Sequence, residues 1–181
     1  MTRESRITLL SKEELPEEYQ EYLSEEYRGE INIFRAVANN PSLLEGLFEY
    51  SELLSKDLTV TDRELVTFSV AKELESEYIW HQHVSRVLND EITTNQLEAI
   101  VNEEYDNLTH KERILVEYGQ NAVRDSVEDE LHRELEKYYS SNEIVSILLV
   151  VGLYSSLNIF IESLDIPLSE DFVGWIPSNN S

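Results

Sequence analysis

The stretch RELVTFSVAKELESEYIWHQHV, Arg63 to Val84, decides how the rest of the chain is read. Read on its own, it is two helical segments, one over about Asp62–Leu74 and one over about Tyr78–Leu88, joined where Leu74 to Glu77 interrupt the apolar pattern. Taken by spacing, Ser76, Ile79 and His83 fall at i, i+3 and i+7, one stripe along a helix, with Trp80 beside it. Glu64 lies twelve residues before Ser76, at the start of the first segment. A hairpin of the two helices brings Glu64 and His83 together, a carboxylate orienting an imidazole, which are the parts of a proton shuttle. Each residue also has a plain structural reading. Glu64 stands three residues after Thr61, the capping-box spacing, and a histidine beside a tryptophan is a common packed core residue.

Outward from this stretch, only 5 Gly and 4 Pro punctuate 181 residues, and no run alternates apolar and polar side chains for long. An all-α fold follows. Pairs of Ser or Thr with Glu or Gln three residues on mark helix starts: Thr61/Glu64, Thr93/Gln96, Thr109/Glu112 and Ser140/Glu143. The predicted helices are Leu15–Tyr27, Ile33–Asn39, Pro41–Lys56, Asp62–Leu74, Tyr78–Leu88, Asn95–Glu104, Lys111–Arg124, Glu128–Tyr139 and Glu143–Leu164. Pro41 suits a first helical position, where its missing N–H costs nothing. The tail, DIPLSEDFVGWIPSNNS, is expected to be irregular and to pack Phe172 and Trp175 on a neighbour. TDRELVTFSV at 61–70 and THKERILVEY at 109–118 echo one another, either as stacked hairpins or as two ordinary capped helices. One domain over 1–181 is the expectation from length.

The charge is extreme. There are 37 Asp+Glu against 14 Lys+Arg, a formal net charge of -23, with 29 Glu, 8 Asp, 9 Arg and 5 Lys. Such a surface repels phosphate backbones and anionic lipid, which excludes nucleic acid and membrane surfaces as expected partners. Few lysines and many carboxylates suit a protein kept soluble in abundant salt, where screening shortens the Debye length to about 3 Å at 1 M. They equally suit an ordinary Glu-rich helical protein, Glu being a good helix former. With 41% apolar residues the chain can still bury a core. The N-terminal MTRESRITLL lacks the apolar run and cleavage site of a signal peptide, so a cytoplasmic location is expected. IVSILLVVGLYSSLNIFI, Ile144 to Ile161, approaches the length of a spanning helix. Its serines and asparagine, and the lack of flanking Lys or Arg, predict instead a buried central helix of a bundle.

Few residues can do chemistry. Cysteine is absent, so no disulfide, thiolate metal site or cysteine nucleophile can form. There is no G-x-S-x-G, P-loop, Rossmann glycine set or H-E-x-x-H, and no Glu-x-x-His. His81 and His83 lie about 200° apart on a helix and cannot share a metal from it. No metal and no cofactor are expected.

The Glu64/Ser76/Ile79/His83 spacing resembles the signature of the carboxymuconolactone decarboxylase family, whose other branch is the alkyl hydroperoxidase D-like proteins. That branch carries a Glu, a Cys twelve residues on, a second Cys three further and a His four further. Here these positions hold Glu64, Ser76, Ile79 and His83, while Tyr78 and Trp80 match aromatic positions of non-peroxidase members. NIFRAVANNPSLLEGLF at 32–48 is similar to the family's upstream helix pair. VGLYSSLNIFIESLDIPL at 151–168 is similar to its closing helix and following turn, so the resemblance spans roughly residues 30–168.

The resemblance implies an alkyl hydroperoxidase D-like bundle of eight to nine helices assembled into homotrimers or homohexamers. Its departures remove the thiol peroxidase mechanism, because Ser76 and Ile79 cannot cycle through a disulfide. Acid–base chemistry of the decarboxylase or lyase kind remains, with Glu64 and His83 as catalytic residues and a small organic molecule as substrate. Ser76, Ile79, Trp80, Tyr154 and Asn158 are the expected pocket lining. Arg63 and Arg86 are the nearest candidates to receive a negative charge. The competing reading is a non-catalytic ligand-binding or structural homo-oligomer in which Glu64 caps a helix and His83 is merely packed.

Overall fold

The computed structural model describes residues 4–25, 31–88 and 90–176. Among the described residues it is all-α: α1 Asn32–Val37, α2 Pro41–Leu54, α3 Val60–Glu73, α4 Glu77–Val87, α5 Thr94–Asn102, α6 His110–Val123, α7 Asp129–Leu135 and α8 Ser141–Ser163. Short 3-10 turns cover Lys12–Glu14, Glu17–Leu23 and Tyr105–Asn107. By density of internal packing the chain divides into two compact units, Met1–Leu53 with Ile159–Asp171, and Leu54–Asn158 with Phe172–Ser181.

In the first unit, Leu15, Leu23, Ala38 and Leu44 form a small core, covered by Leu10, Tyr19, Tyr22, Phe34, Val37 and Phe48. The predicted N-terminal α-helix is replaced here by 3-10 turns. Residues i and i+3 eclipse in a 3-10 helix, so Tyr19 and Tyr22 share a row and both reach the core, while the glutamates around them stay outside. The last two residues of that predicted helix lie outside the described residues. Arg35 ties the extended N-terminal segment to α1, donating to the carbonyls of Leu9 and Leu10 at 2.9 and 3.0 Å.

The second unit is built around α3, which is buried on nearly every side: Leu65, Val66, Phe68, Val70 and Ala71 are all fully enclosed. Its two buried hydroxyls are satisfied within the helix, Thr67 donating to the Arg63 carbonyl at 2.9 Å and Ser69 to that of Leu65 at 2.7 Å. Helix α6 packs closely along α3, and Gly119 makes the approach possible: a Cβ there would stand 3.1 Å from Ser69 Cβ.

Three of the four expected caps are present. Thr93 with Gln96 and Thr109 with Glu112 form full capping boxes. Glu143 accepts from the Ser140 backbone N–H at 2.7 Å and its own N–H donates to the Ser140 hydroxyl at 3.4 Å. The fourth is corrected. Thr59, not Thr61, caps α3, its hydroxyl accepting from Asp62 N at 3.0 Å. The helix therefore begins earlier than expected, and Glu64 falls beyond its first turn with no capping role. The register of the 61–70 and 109–118 echo fails with it, since one segment starts inside its helix and the other at its cap. Helix α7 is also shorter than expected, ending at Leu135 before a turn that carries Tyr139 back into the core.

Helix α8 meets the expectation of burial on one face only. Ile147, Val150, Val151, Leu153 and Ile161 are buried, but Val145, Leu148, Leu149 and Ile159 are 55%, 40%, 43% and 66% exposed. With a mean hydropathy of 2.3 over its most apolar window, α8 is long and apolar enough to cross a membrane.

Candidate functional site

The turn between α3 and α4 sets the site. Leu74 ends α3 and Glu75 takes a left-handed conformation, φ 51°, which reverses the chain and starts α4 after Ser76. The resulting hairpin brings Glu64, fully buried on α3, against His83, 8% exposed on α4. Glu64 Oε2 lies 2.6 Å from His83 Nδ1.

Two arginines complete the cluster. Arg86 Nη2 donates to Glu64 Oε1 in a short contact, and Arg63 Nη2 lies 3.2 Å from the same oxygen. Arg86 Nη2 also stands 2.8 Å from His83 Nδ1. A carboxylate only accepts, so Nδ1 must carry the proton that it gives to Glu64; the guanidinium N–H then belongs to Glu64 and not to the ring. This fixes the tautomer with the lone pair on Nε2. Arg63 and Arg86, which the sequence left unplaced, thus both face Glu64, and the spacing of Arg86 three residues after His83 on one helix is the signal that could have found it.

The electrostatics agree with this assignment. Burial, the largest influence on Glu64, pushes its pKa up, but the bonded His83 together with Arg86 and Arg63 brings it down to about 2. Burial lowers the pKa of His83 below its ordinary 6.5; Glu64 opposes this, and the two arginines reinforce it. The cluster at neutral pH is a carboxylate, two guanidinium ions and a neutral imidazole, that is, a base held in one orientation.

Aromatic rings wall the imidazole. Tyr154 of α8 stands edge-on to it with centroids 5.0 Å apart, and Phe68 of α3 does so at 6.2 Å. Desolvation and the nearby Glu64 anion push the Tyr154 hydroxyl up to about 12, so it stays protonated. Phe68 also meets Trp80 edge-on at 4.9 Å. The sequence reading missed Phe68, one helical turn beyond Glu64 on the same face of α3. Trp80 is fully buried, Ile79 is 3% and Ser76 1% exposed, and Asn158 lies one turn after Tyr154, partly buried.

As far as residue 176 the tail is irregular and packed as expected, and its last five residues lie outside the described residues. Trp175 packs edge-on to Trp80 at 5.2 Å and to Phe172 at 5.3 Å, with Lys72 Nζ 5.3 Å from its ring centroid. His81 is occupied separately, its Nδ1 accepting from Val173 N at 3.2 Å. No group of three or more His, Asp or Glu that could hold a metal occurs among the described residues.

No protein-family model and no curated relative matches the chain by sequence. Solved structures do match by fold. A peroxidase-related protein of Ralstonia eutropha JMP134 with the alkylhydroperoxidase AhpD core superposes with a TM-score of 0.76 at 15% identity, over 96% of this chain and 98% of that one. The chain has the alkylhydroperoxidase AhpD-like fold. A peroxidase-related protein of Silicibacter sp. TM1040 gives a TM-score of 0.77 at 19% identity, over 94% of each chain. The debrominase Bmp8, as a Cys-to-Ala variant in complex with 2,3,4-tribromopyrrole, gives 0.71 at 16%, over 92% of this chain and 94% of that one. Within this AhpD-like fold the present chain contains no cysteine, so the hairpin of α3 and α4 holds a carboxylate and an imidazole without a thiol.

Proposed function

We propose that the chain is a cysteine-free member of the carboxymuconolactone decarboxylase family that carries out proton-transfer chemistry, of the decarboxylase or lyase kind, on a small organic molecule. The observation that carries this reading is the 2.6 Å contact between buried Glu64 and His83 Nδ1. It leaves Nε2 as a base of fixed direction, with Glu64 ready to stabilise the imidazolium that forms on proton capture. A non-catalytic capping role for Glu64 has no support, since Thr59 and Asp62 make the cap. The likeness to a debrominase bound to a halogenated pyrrole supports a small, largely apolar substrate of ring-like size. Ile79, Trp80 and Tyr154 supply apolar and aromatic walls for it, with Ser76 and Asn158 as polar positions. Homo-oligomerisation belongs to the same proposal and is supported by the apolar face of α8, whose Leu149 and Ile159 are 43% and 66% exposed.

Deuterium incorporation tests the proposal across a range of candidate substrates. A panel of small carbonyl and carboxylated compounds is incubated with the protein in deuterium oxide and followed by proton NMR. The expected result is loss of a C–H signal, or appearance of a deuterated decarboxylation product, that disappears in His83→Gln and falls at least tenfold in Glu64→Gln. Exchange that persists in His83→Gln contradicts the assignment.

A further inference from the structure

Polar atoms buried without a hydrogen-bond partner concentrate on α4. Ser76 Oγ, Trp80 Nε1 and Arg86 Nε all lack a partner. Such atoms are costly to leave alone, so their persistence calls for a reason. Ser76 is the clearest case. It occupies the N-cap position of α4, where a serine hydroxyl ordinarily accepts from the first turn, yet its side chain makes no cap bond. Its carbonyl does take part in the helix, accepting from Trp80 N at 3.0 Å. The hydroxyl has been withheld from the backbone.

Ser76, the N-cap, and Trp80 and His83 on α4 stand at i, i+4 and i+7, positions that on an ideal helix span a sector of about 60°, with backbones about 6 Å and about 4.5 Å apart along the axis. Two unsatisfied donors, an O–H and an N–H, therefore share a stripe with a neutral base. Phe68 packs against both Trp80 and His83 and keeps the indole and imidazole in a common wall.

We propose that Ser76 Oγ–H and Trp80 Nε1–H form an oxyanion-binding pair, and that the substrate class is a carbonyl compound whose deprotonation at the neighbouring carbon leaves negative charge on oxygen. This rests on the proton-transfer reading above and specifies it. In the step, His83 Nε2 removes a proton from the carbon next to the carbonyl. The C–H pair becomes the new C=C bond, the C=O pair moves to oxygen, and the resulting enolate oxygen accepts from Ser76 and Trp80. Return of the proton to carbon restores the imidazole, so no oxidant or co-reactant enters. Donors that have no partner in the free protein and gain one in the transition state are the arrangement that accelerates such a reaction. Trp175 packs over Trp80, so admission of a ligand displaces the tail locally.

Phenolates of graded acidity, with 4-nitrophenolate as the reporting probe, mimic an enolate and are stable. Their binding is measured by absorbance and calorimetry on the wild-type protein, Ser76→Ala and Trp80→Phe. The expected result is binding as the anion, weakened about tenfold in each variant, with Ser76→Ala melting at the same temperature or higher because an unsatisfied buried hydroxyl has been removed. No phenolate binding at millimolar concentration overturns the proposal, as does binding that Ser76→Ala and Trp80→Phe leave unchanged. Should Trp80→Phe fold poorly, Ser76→Ala decides alone. The deuterium experiment reads His83 independently, so loss of the oxyanion pair and loss of the proton-transfer reading are told apart.

Discussion

Glu64 holds together charges that the interior would otherwise reject. A carboxylate with no solvent exposure survives only because a ring N–H and two guanidinium groups surround it. Its folded pKa of about 2 lies roughly 2.5 units below the ordinary 4.5, which corresponds to a contribution on the order of 3 kcal/mol. The sign follows from the depressed value: this stability is fully present above pH 4.5 and is lost as pH falls toward 2. His83 acts in the same direction from a higher starting point, since its pKa is depressed below 6.5 and acid that protonates the unfolded imidazole favours unfolding. Glu64→Gln should therefore lose roughly 3–5 kcal/mol at neutral pH, because Arg86 and Arg63 are left facing a neutral amide. Urea unfolding at pH 7 and again near pH 3 should show the gap between wild type and variant narrowing in acid. A gap that stays constant would contradict the assignment. At this scale the sequence was informative where spacing along one helix suffices, as in setting Ile79, Trp80 and His83 together on α4 just after Ser76. The partners Arg63, Phe68 and Trp175 depend on the pairing of α3 with α4 and on the course of the tail, which no local pattern encodes.

The helices themselves were legible because their starts are written in short-range hydrogen bonds. Thr93/Gln96, Thr109/Glu112 and Ser140/Glu143 each satisfy the backbone donors of a first turn, so a local signal located the caps, although the predicted helices start slightly later than the observed Thr94, His110 and Ser141. The same rule misplaced Thr61 because Thr59 with Asp62 offers an equivalent cap two residues earlier. The 3-10 turns at the N-terminus escaped detection for a different reason: Tyr19 and Tyr22 are placed by the core that they cover, a tertiary demand. Contact between α3 and α6 provides the element-scale prediction. Gly119→Ala brings a methyl within 3.1 Å of Ser69 Cβ, which is attached to rigid helical backbone and cannot turn aside. Overpacking of about 1–3 kcal/mol outweighs the gain of about 1 kcal/mol from alanine's helix propensity. The variant should melt lower than wild type, and a higher melting temperature would mean that α3 and α6 are less tightly apposed.

For the whole molecule, a net charge of -23 and the uncovered apolar face of α8 pull in opposite directions. In the proposed homo-oligomer, charge would keep copies apart and exposed Leu148 and Leu149 would bring them together, so association through α8 should strengthen as salt screens the repulsion. Leu149→Glu should shift the protein to a smaller species by light scattering in molar salt; an unchanged mass would place the interface elsewhere. Composition had excluded the thiol chemistry of the resembling family before any geometry was considered, and the hairpin then supplied what composition could not, a carboxylate and an imidazole in direct contact. That contact is the centre of the account, and nitrogen NMR of His83 in the intact protein tests it most directly. The expected spectrum at pH 7 is a neutral ring with its proton on Nδ1 and Nε2 bare, protonating only below pH 6.5. An imidazolium at pH 7, or a proton on Nε2, would contradict it.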